Sequence, residues 1–226
     1  MRKFRSFIAP ALAVIVMVAL AVGLGTAAVS SARAEYIFGD RASPAAGADK
    51  FGNIFLFWKG TDSQLEEGWY NNYDDEWTGP IDIGNWTLGT TPTVAVSPLQ
   101  SAVGPGGHLY SWLYVYWAGA SSSHDLYLAY WNGSWHGPVN LGMGPIKYQP
   151  TASSNGEIGT AGENVYWGGE DNNIYYAYST TYDATSASDY SGPHSASYNG
   201  HKLGPIGSSP STTIDSCGEN VGPLAA

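Results

Sequence analysis

The chain has 226 residues and carries 9 lysines and arginines against 19 aspartates and glutamates, a net charge of −10. This acidity argues against nucleic acid and against an anionic membrane surface as partners, because both need a basic protein surface. With 29 glycines, 9 tryptophans and 16 tyrosines but only 12% charged residues, the composition is typical of an all-β protein with many turns. The single cysteine, Cys217, excludes a disulfide within the chain.

Residues 1–34 predict a secretory signal peptide, and an uncleaved signal anchor is the alternative. Arg2, Lys3 and Arg5 precede an apolar stretch at about 11–24, and residues 32–34 read Ala-Arg-Ala, which fits the cleavage rule. Cleavage would leave residues 35–226 as one secreted domain without a membrane anchor. Four of the nine basic residues and none of the 19 acidic ones lie in the first 34, so this domain would carry five against 19, a net charge of −14.

After this segment, short strand patterns alternate with turns, and no sustained helical stripe is present. Residues 54–58 (Ile-Phe-Leu-Phe-Trp), 65–70 and 77–84 predict three strands that follow a small-residue stretch at 45–48. Asp62 lies two residues after a glycine in the first of these turns, and Asp171 has the same place later in the chain. We expect both aspartates to cap turns rather than to bind a ligand.

The same marks recur three times in the same order, with a period of about 50 to 60 residues and four short strands per period. They are Trp-x-Gly at Trp58, Trp117 and Trp167, Gly-Pro at Gly79, Gly137 and Gly192, and an aliphatic residue before glycine at Ile83, Leu141 and Leu203. This pattern predicts an all-β fold of β-propeller-type four-stranded blades. We place about three complete repeats at 44–91, 92–149 and 150–209, and a partial repeat at 210–226.

Three blades do not close a ring, since propellers typically have about four to eight. Three outcomes are open at this point. Two chains could associate as a homo-oligomer that completes the ring, the chain could be a piece of a longer protein, or the terminal segments could pair into an irregular fourth blade. The third repeat also departs from the others, because residues 179–191 form a long loop rich in Ser, Thr and Tyr.

The second repeat resembles the blade of the PLL-like bacterial β-propeller lectins. The resemblance lies in the run from Leu126 to Gly142, which reads Leu-Tyr-Leu-Ala-Tyr-Trp-Asn-Gly-Ser-Trp-His-Gly-Pro-Val-Asn-Leu-Gly. It covers most of residues 44–215, is clear in the second repeat, moderate in the first and weak in the third. Those lectins have more blades than this chain. The resemblance implies sugar binding at shallow sites between adjacent blades.

The residue types agree with a carbohydrate-binding role. A sugar ring is held by an aromatic plate and by short polar side chains, and this chain has both beside its glycine turns. We expect Trp58, Trp117 and Trp167 to be structural. The aromatic and amide residues nearer the polar turns are the candidate sugar-binding residues: Trp69, Tyr70, Tyr130, Trp131, Asn132 and Trp135. Glycans are the expected partners.

Two other functions stay open. A secreted glycoside hydrolase would need two suitably spaced carboxylates, and residues 74–76 (Asp-Asp-Glu) are the densest acidic group. A sialidase-type enzyme is disfavoured, because Arg41 is the one arginine after residue 34. A protein-interaction propeller is the remaining alternative. The five histidines and one cysteine form no ligand motif, so we expect no metal and no cofactor, and we assign no catalytic residue.

Overall fold

The computed structural model describes residues 43–154, 162–214 and 220–224, and these ranges are built almost entirely of β-strands. The predicted signal peptide lies outside the described residues. No helix within the described ranges has the length and hydrophobicity of a membrane span. Two short 3₁₀ turns, Pro105–Gly107 and Ala187–Asp189, interrupt the strands.

Three four-stranded antiparallel sheets follow one another along the chain, each made of four consecutive strands. The first contains β1 (Ala45–Ala48), β2 (Ile54–Lys59), β3 (Gln64–Asn71) and β4 (Glu76–Thr87). The second contains β5 (Thr93–Val103), β6 (Leu109–Ala118), β7 (Leu126–Trp131) and β8 (Trp135–Asn140). The third contains β9 (Thr151–Ser154), β10 (Glu163–Gly168), β11 (Ile174–Ser179) and β12 (Tyr190–Ser195). Two strand pairs follow: β13 (Ser197–Tyr198) with β14 (His201–Lys202), and β15 (Ser211–Ile214) with β16 (Asn220–Leu224).

The leading strands of successive sheets lie side by side. Strand β1 contacts β5, β5 contacts β9, and β9 contacts β15, so the sheets are arranged around a common row of inner strands. This is the arrangement of β-propeller blades, and it confirms the predicted fold class. We call the three sheets the first, second and third blade. The limits of the whole domain, including the partial repeat at 210–226, stay a prediction.

Two hydrophobic clusters fill the junctions between blades. Successive residues of a strand point to opposite faces of its sheet. Along residues 113–118 of β6 in the second blade, the odd-numbered residues pack on the first blade, and the even-numbered ones pack on the third. Phe55 and Phe57 of the first blade therefore meet Val115 of the second. The alternate residues of β6, Tyr114 and Tyr116, pack toward the third blade.

The tryptophans of the Trp-x-Gly marks are buried, as expected for structural residues. Trp58, Trp117 and Trp167 are all nearly inaccessible to solvent. The indole of Trp117 stacks between Trp86 and Tyr127, with ring centroids 6.1 Å away on each side. Both faces of the Trp117 indole are therefore covered by neighbouring rings.

The Gly-Pro marks bring the fourth strand of a blade close to its third strand. Gly79 has a φ of +118°, and a Cβ there would lie 2.8 Å from the carbonyl oxygen of Glu67. Gly137 has a φ of +129°, and its Cβ would lie 3.0 Å from the carbonyl oxygen of Leu128. Only glycine fits both the backbone conformation and the space.

Both turn aspartates act as caps. The side chain of Asp62 accepts a 2.9 Å hydrogen bond from the backbone N–H of Gln64. The side chain of Asp171 accepts a 3.1 Å bond from the N–H of Asn173. These bonds are the local turn pattern expected from the sequence.

Candidate functional site

A cavity of about 220 Å³ lies between the first and second blades. The first blade contributes its lining from β2, β3 and β4: Phe55, Glu67, Trp69 and Ile81. The second blade contributes residues of β6, β7 and β8 and of the loop before β6: Pro105, Tyr110, Leu113, Trp131 and Trp135. Five aromatic rings and one carboxyl group from two different blades thus surround one space.

The structure brings three of the six predicted site residues into this cavity. Trp69 comes from the first blade, and Trp131 and Trp135 come from the second. Trp69 and Trp135 are partly exposed, whereas Trp131 is buried. The ring of Trp135 is held edge-on against Phe57, with centroids 5.6 Å apart. Indoles that are partly exposed but fixed in position are suited to stacking on a ligand ring.

The other three predicted residues lie elsewhere, because neighbours on a strand face opposite sides of the sheet. Tyr70 follows Trp69, packs against Trp77 with ring centroids 5.6 Å apart, and donates a hydrogen bond to Asp75. Tyr130 precedes Trp131 and packs against the cluster between the second and third blades.

Asn132 lies in the turn between β7 and β8. Its side-chain oxygen is 2.9 Å from Nε2 of His136, and the His136 ring stacks on Tyr130 with centroids 4.9 Å apart. This polar cluster is separate from the cavity lining.

Glu67 is a cavity residue that is not among the candidates predicted from the sequence. Its side chain is only 6% exposed, and one carboxylate oxygen accepts a 3.0 Å hydrogen bond from Nε1 of Trp135. Burial raises the pKa of Glu67 to about 7, and the hydrogen bond from Trp135 acts in the opposite direction. A comparison of the repeats can identify Glu67 as buried, because it occupies the position at which the second blade has the buried apolar Leu128.

Asp49 links the first and second blades, because its side chain accepts hydrogen bonds from backbone N–H groups of both. It is a buried residue of the first blade, and its Oδ1 accepts hydrogen bonds of 2.9 Å from the N–H groups of Phe51 and Asn53. Its Oδ2 accepts a 3.2 Å bond from the N–H of Ser111 in the second blade. The cavity is therefore bounded by blades that are hydrogen-bonded to each other, which fixes its shape in advance of any ligand.

The junction between the second and third blades has the reverse arrangement of polar and apolar walls. Leu128 occupies the place of Glu67, and Glu163 occupies the place that Leu113 has in the first junction. Glu163 is 1% exposed, and its Oε2 has no hydrogen-bond partner within the described part of the chain. Burial raises the pKa of Glu163 to about 8, while a hydrogen bond with the Ser179 side chain lowers it.

The long loop of the third blade covers this second junction. Ala184 is completely buried in the cluster that contains Tyr114 and Tyr190. The carbonyl oxygen of Tyr182 lies 3.0 Å from the hydroxyl of Tyr114. The Asp189 carboxylate helps to fix the loop, because it accepts 2.9 Å hydrogen bonds from the backbone N–H groups of Thr185 and Ser186. The first junction contains a cavity, whereas among the described residues the loop of the third blade packs into the second junction.

No cluster of three or more metal-ligating side chains occurs within residues 43–154, 162–214 and 220–224. Among the described residues that line the cavity, Glu67 alone has a carboxyl group. The cavity therefore offers one carboxyl group and aromatic surfaces.

Comparisons with known proteins identify the fold class. No protein-family model matches the sequence, and a search of curated proteins found no match. Among solved structures, AofleA from Arthrobotrys oligospora superimposes with a TM-score of 0.60 at 14% identity, over 84% of this chain and 51% of that one. This chain thus spans about half the length of AofleA, and the two share the fold. A fucose lectin from Kordia zhangzhouensis in complex with methyl-fucoside aligns with a TM-score of 0.46 at 16% identity, over 67% of this chain and 99% of that one.

Proposed function

We propose that this protein is a non-catalytic, lectin-like β-propeller that binds a carbohydrate in the cavity between its first and second blades. The observation that carries the proposal is the pairing of partly exposed indoles, Trp69 and Trp135, with the buried carboxyl group of Glu67. An indole face stacks on the C–H face of a sugar ring, and a carboxylate accepts hydrogen bonds from its hydroxyls.

The size of the cavity supports a single sugar ring as the unit recognised. Sites for drug-sized ligands measure about 300 Å³ or more, and this cavity measures about 220 Å³. One shallow site of this kind typically binds with a dissociation constant on the order of 1 mM, about −4 kcal/mol. Several sites presented together would raise the apparent affinity through multivalency, and a homo-oligomer of this chain would supply them.

Binding is favoured over hydrolysis by the chemistry of the cavity. Glycosidases of the common retaining and inverting types use two carboxyl groups on opposite sides of the scissile bond. Glu67 is the one carboxyl group among the described lining residues. The acidic residues at 74–76 are exposed, and Asp74 and Asp75 accept hydrogen bonds from Asn71 and Tyr70.

The place of action belongs to the proposal as well. The basic and apolar segment at 1–34 directs the chain to export, and the free sugar-binding domain acts outside the cell on glycans. The acidic charge of the domain keeps it soluble and away from anionic surfaces.

A glycan array followed by calorimetry on the purified protein tests the function. We expect the native protein to bind at least one sugar. The Trp69→Ala variant should bind that sugar at least tenfold more weakly, which is a loss of about 1.4 kcal/mol or more in binding free energy. Trp77→Ala is the matched control, because Trp77 is 44% exposed and lies outside the cavity lining. Absence of binding to every sugar at high protein density, or equal losses in both variants, would refute the site. Sugar release that stops in Glu67→Gln would instead support an enzyme.

A further inference from the structure

Tyr73 presents an exposed aromatic ring that the protein holds in a fixed position. It lies in the turn between β3 and β4 of the first blade and is 43% exposed. Its ring stacks on His108 of the second blade, with centroids 4.2 Å apart and an interplanar angle of 6°. Its hydroxyl donates a 3.3 Å hydrogen bond to the carbonyl of Leu109, and its backbone N–H donates a 3.0 Å bond to the side chain of Asn71.

This ring lies at the rim of the cavity between the first and second blades. His108 belongs to the loop between β5 and β6, and Pro105 of that loop lines the cavity. Tyr110 lines the cavity as well, and the Tyr73 ring meets it edge-on with centroids 6.3 Å apart. The cavity and the exposed ring are thus separated by the thickness of one tyrosine side chain.

The fixed position of Tyr73 makes it a suitable contact for a ligand. A free surface side chain loses rotamer freedom when it binds, whereas Tyr73 has already lost it through its contacts with the second blade. His108 covers one ring face, so the exposed part of the ring is available for stacking.

A polar group stands beside the ring. Asp74 is exposed and follows Tyr73 in the same turn. Burial first, and then the charge of Asp74, raise the pKa of Tyr110. Its oxygens are acceptors of the kind that sugar hydroxyls need.

We propose that Tyr73 and Asp74 form a second subsite, which binds the next ring of an oligosaccharide whose terminal ring occupies the cavity. The proposal rests on the carbohydrate-binding function, and it deepens it by assigning oligosaccharides, rather than single sugars, as the preferred ligands. The second ring stacks on Tyr73, and its hydroxyls donate hydrogen bonds to Asp74.

The test compares a monosaccharide with an oligosaccharide of the same terminal ring. Methyl glycosides of glucose, galactose, mannose, fucose and N-acetylglucosamine are screened first, and disaccharides that end in the sugar that binds are measured next by calorimetry. We expect the best disaccharide to bind roughly fivefold to tenfold more tightly than the methyl glycoside. Tyr73→Ala should remove that difference and leave the affinity for the methyl glycoside within about twofold.

Two variants separate a ligand contact from a structural role. Tyr73→Phe keeps the ring and loses only the bond to Leu109, so it should retain the preference for the disaccharide. Tyr198→Ala removes a 72% exposed ring that is not part of the cavity lining, and it should change nothing. Saturation-transfer NMR gives an independent readout: the second ring of the disaccharide should receive saturation from the native protein and lose it in Tyr73→Ala.

The remaining outcomes decide against the proposal. Equal binding of mono- and disaccharide by the native protein, or an equal loss for both ligands in Tyr73→Ala, would overturn the subsite while the cavity site stands. No binding of any methyl glycoside or disaccharide would overturn the proposed function and the subsite together.

Discussion

The indole nitrogen of Trp135, on the second blade, donates a 3.0 Å hydrogen bond to the carboxylate of Glu67, on the first. This bond joins two blades through side chains that also line the cavity. It gives the buried carboxyl group one partner, and it fixes the plane of an indole against which a ligand would lie. Stability of the junction and shape of the site depend on the same pair.

The pair should therefore show energetic coupling. Glu67→Leu places in the first junction the residue type that the second blade has at Leu128, but it leaves the Trp135 N–H without its acceptor. We expect a loss of about 1–3 kcal/mol in the free energy of unfolding. In combination with Trp135→Phe, the total loss should be smaller than the sum of the losses in the two single variants. Denaturant unfolding of the two single variants and the double variant measures the coupling, and strict additivity would contradict it.

Glu163 should make stability depend on pH. Its pKa is raised to about 8 by burial, so the folded protein holds the proton more tightly than the unfolded chain, whose glutamate titrates near 4.5. The stabilisation is complete below the unfolded pKa and is lost as pH rises through the folded one. Native protein should lose up to about 1.4 kcal/mol per pH unit between these values, relative to Glu163→Gln. If the free energy of unfolding changed with pH in the same way in both proteins, the carboxyl group of Glu163 would have no such role.

Gly79 should be intolerant of a side chain. Gly79→Ala must adopt a φ of +118° and would place its Cβ 2.8 Å from two backbone atoms of β3. We expect destabilisation of more than about 1 kcal/mol, measured by thermal or denaturant unfolding. Gly207→Ala is the matched control, since no atom lies within 4 Å of its added Cβ. A melting temperature of Gly79→Ala equal to that of the control would show that β4 can move away from β3.

The blade architecture was predictable because it rests on marks that repeat. Trp117 is buried, Asp62 caps its turn, and Gly137 permits a close strand approach, and each of these roles follows from local sequence. Repetition identifies residues that every blade needs. It does not identify those that make one junction differ from the next.

The lining of the candidate site can be predicted only in part for the same reason. Proximity to polar turns selected Trp69 and Tyr70 together, although adjacent residues on a strand must face different junctions. Trp131 and Trp135, which are also near a polar turn, do line one cavity together. The place of Glu67 in the cavity is not predictable in this way, because a charged residue in a strand is normally exposed. The burial of Ala184 in the second junction depends on the fold of the long loop, which the sequence does not predict.

The interchange of glutamate and leucine between the two junctions gives the blades a fixed order. Glu67 of the first blade stands where the second blade has Leu128, and Glu163 of the third blade stands where the second has Leu113. If the first blade packed directly on the third, Glu67 would face Glu163, and two carboxyl groups would be buried together. If the second blade packed on another copy of itself, Leu128 would face Leu113, and neither wall would be polar. Because a buried pair of carboxyl groups is costly, these glutamate and leucine positions favour the native succession of otherwise similar blades.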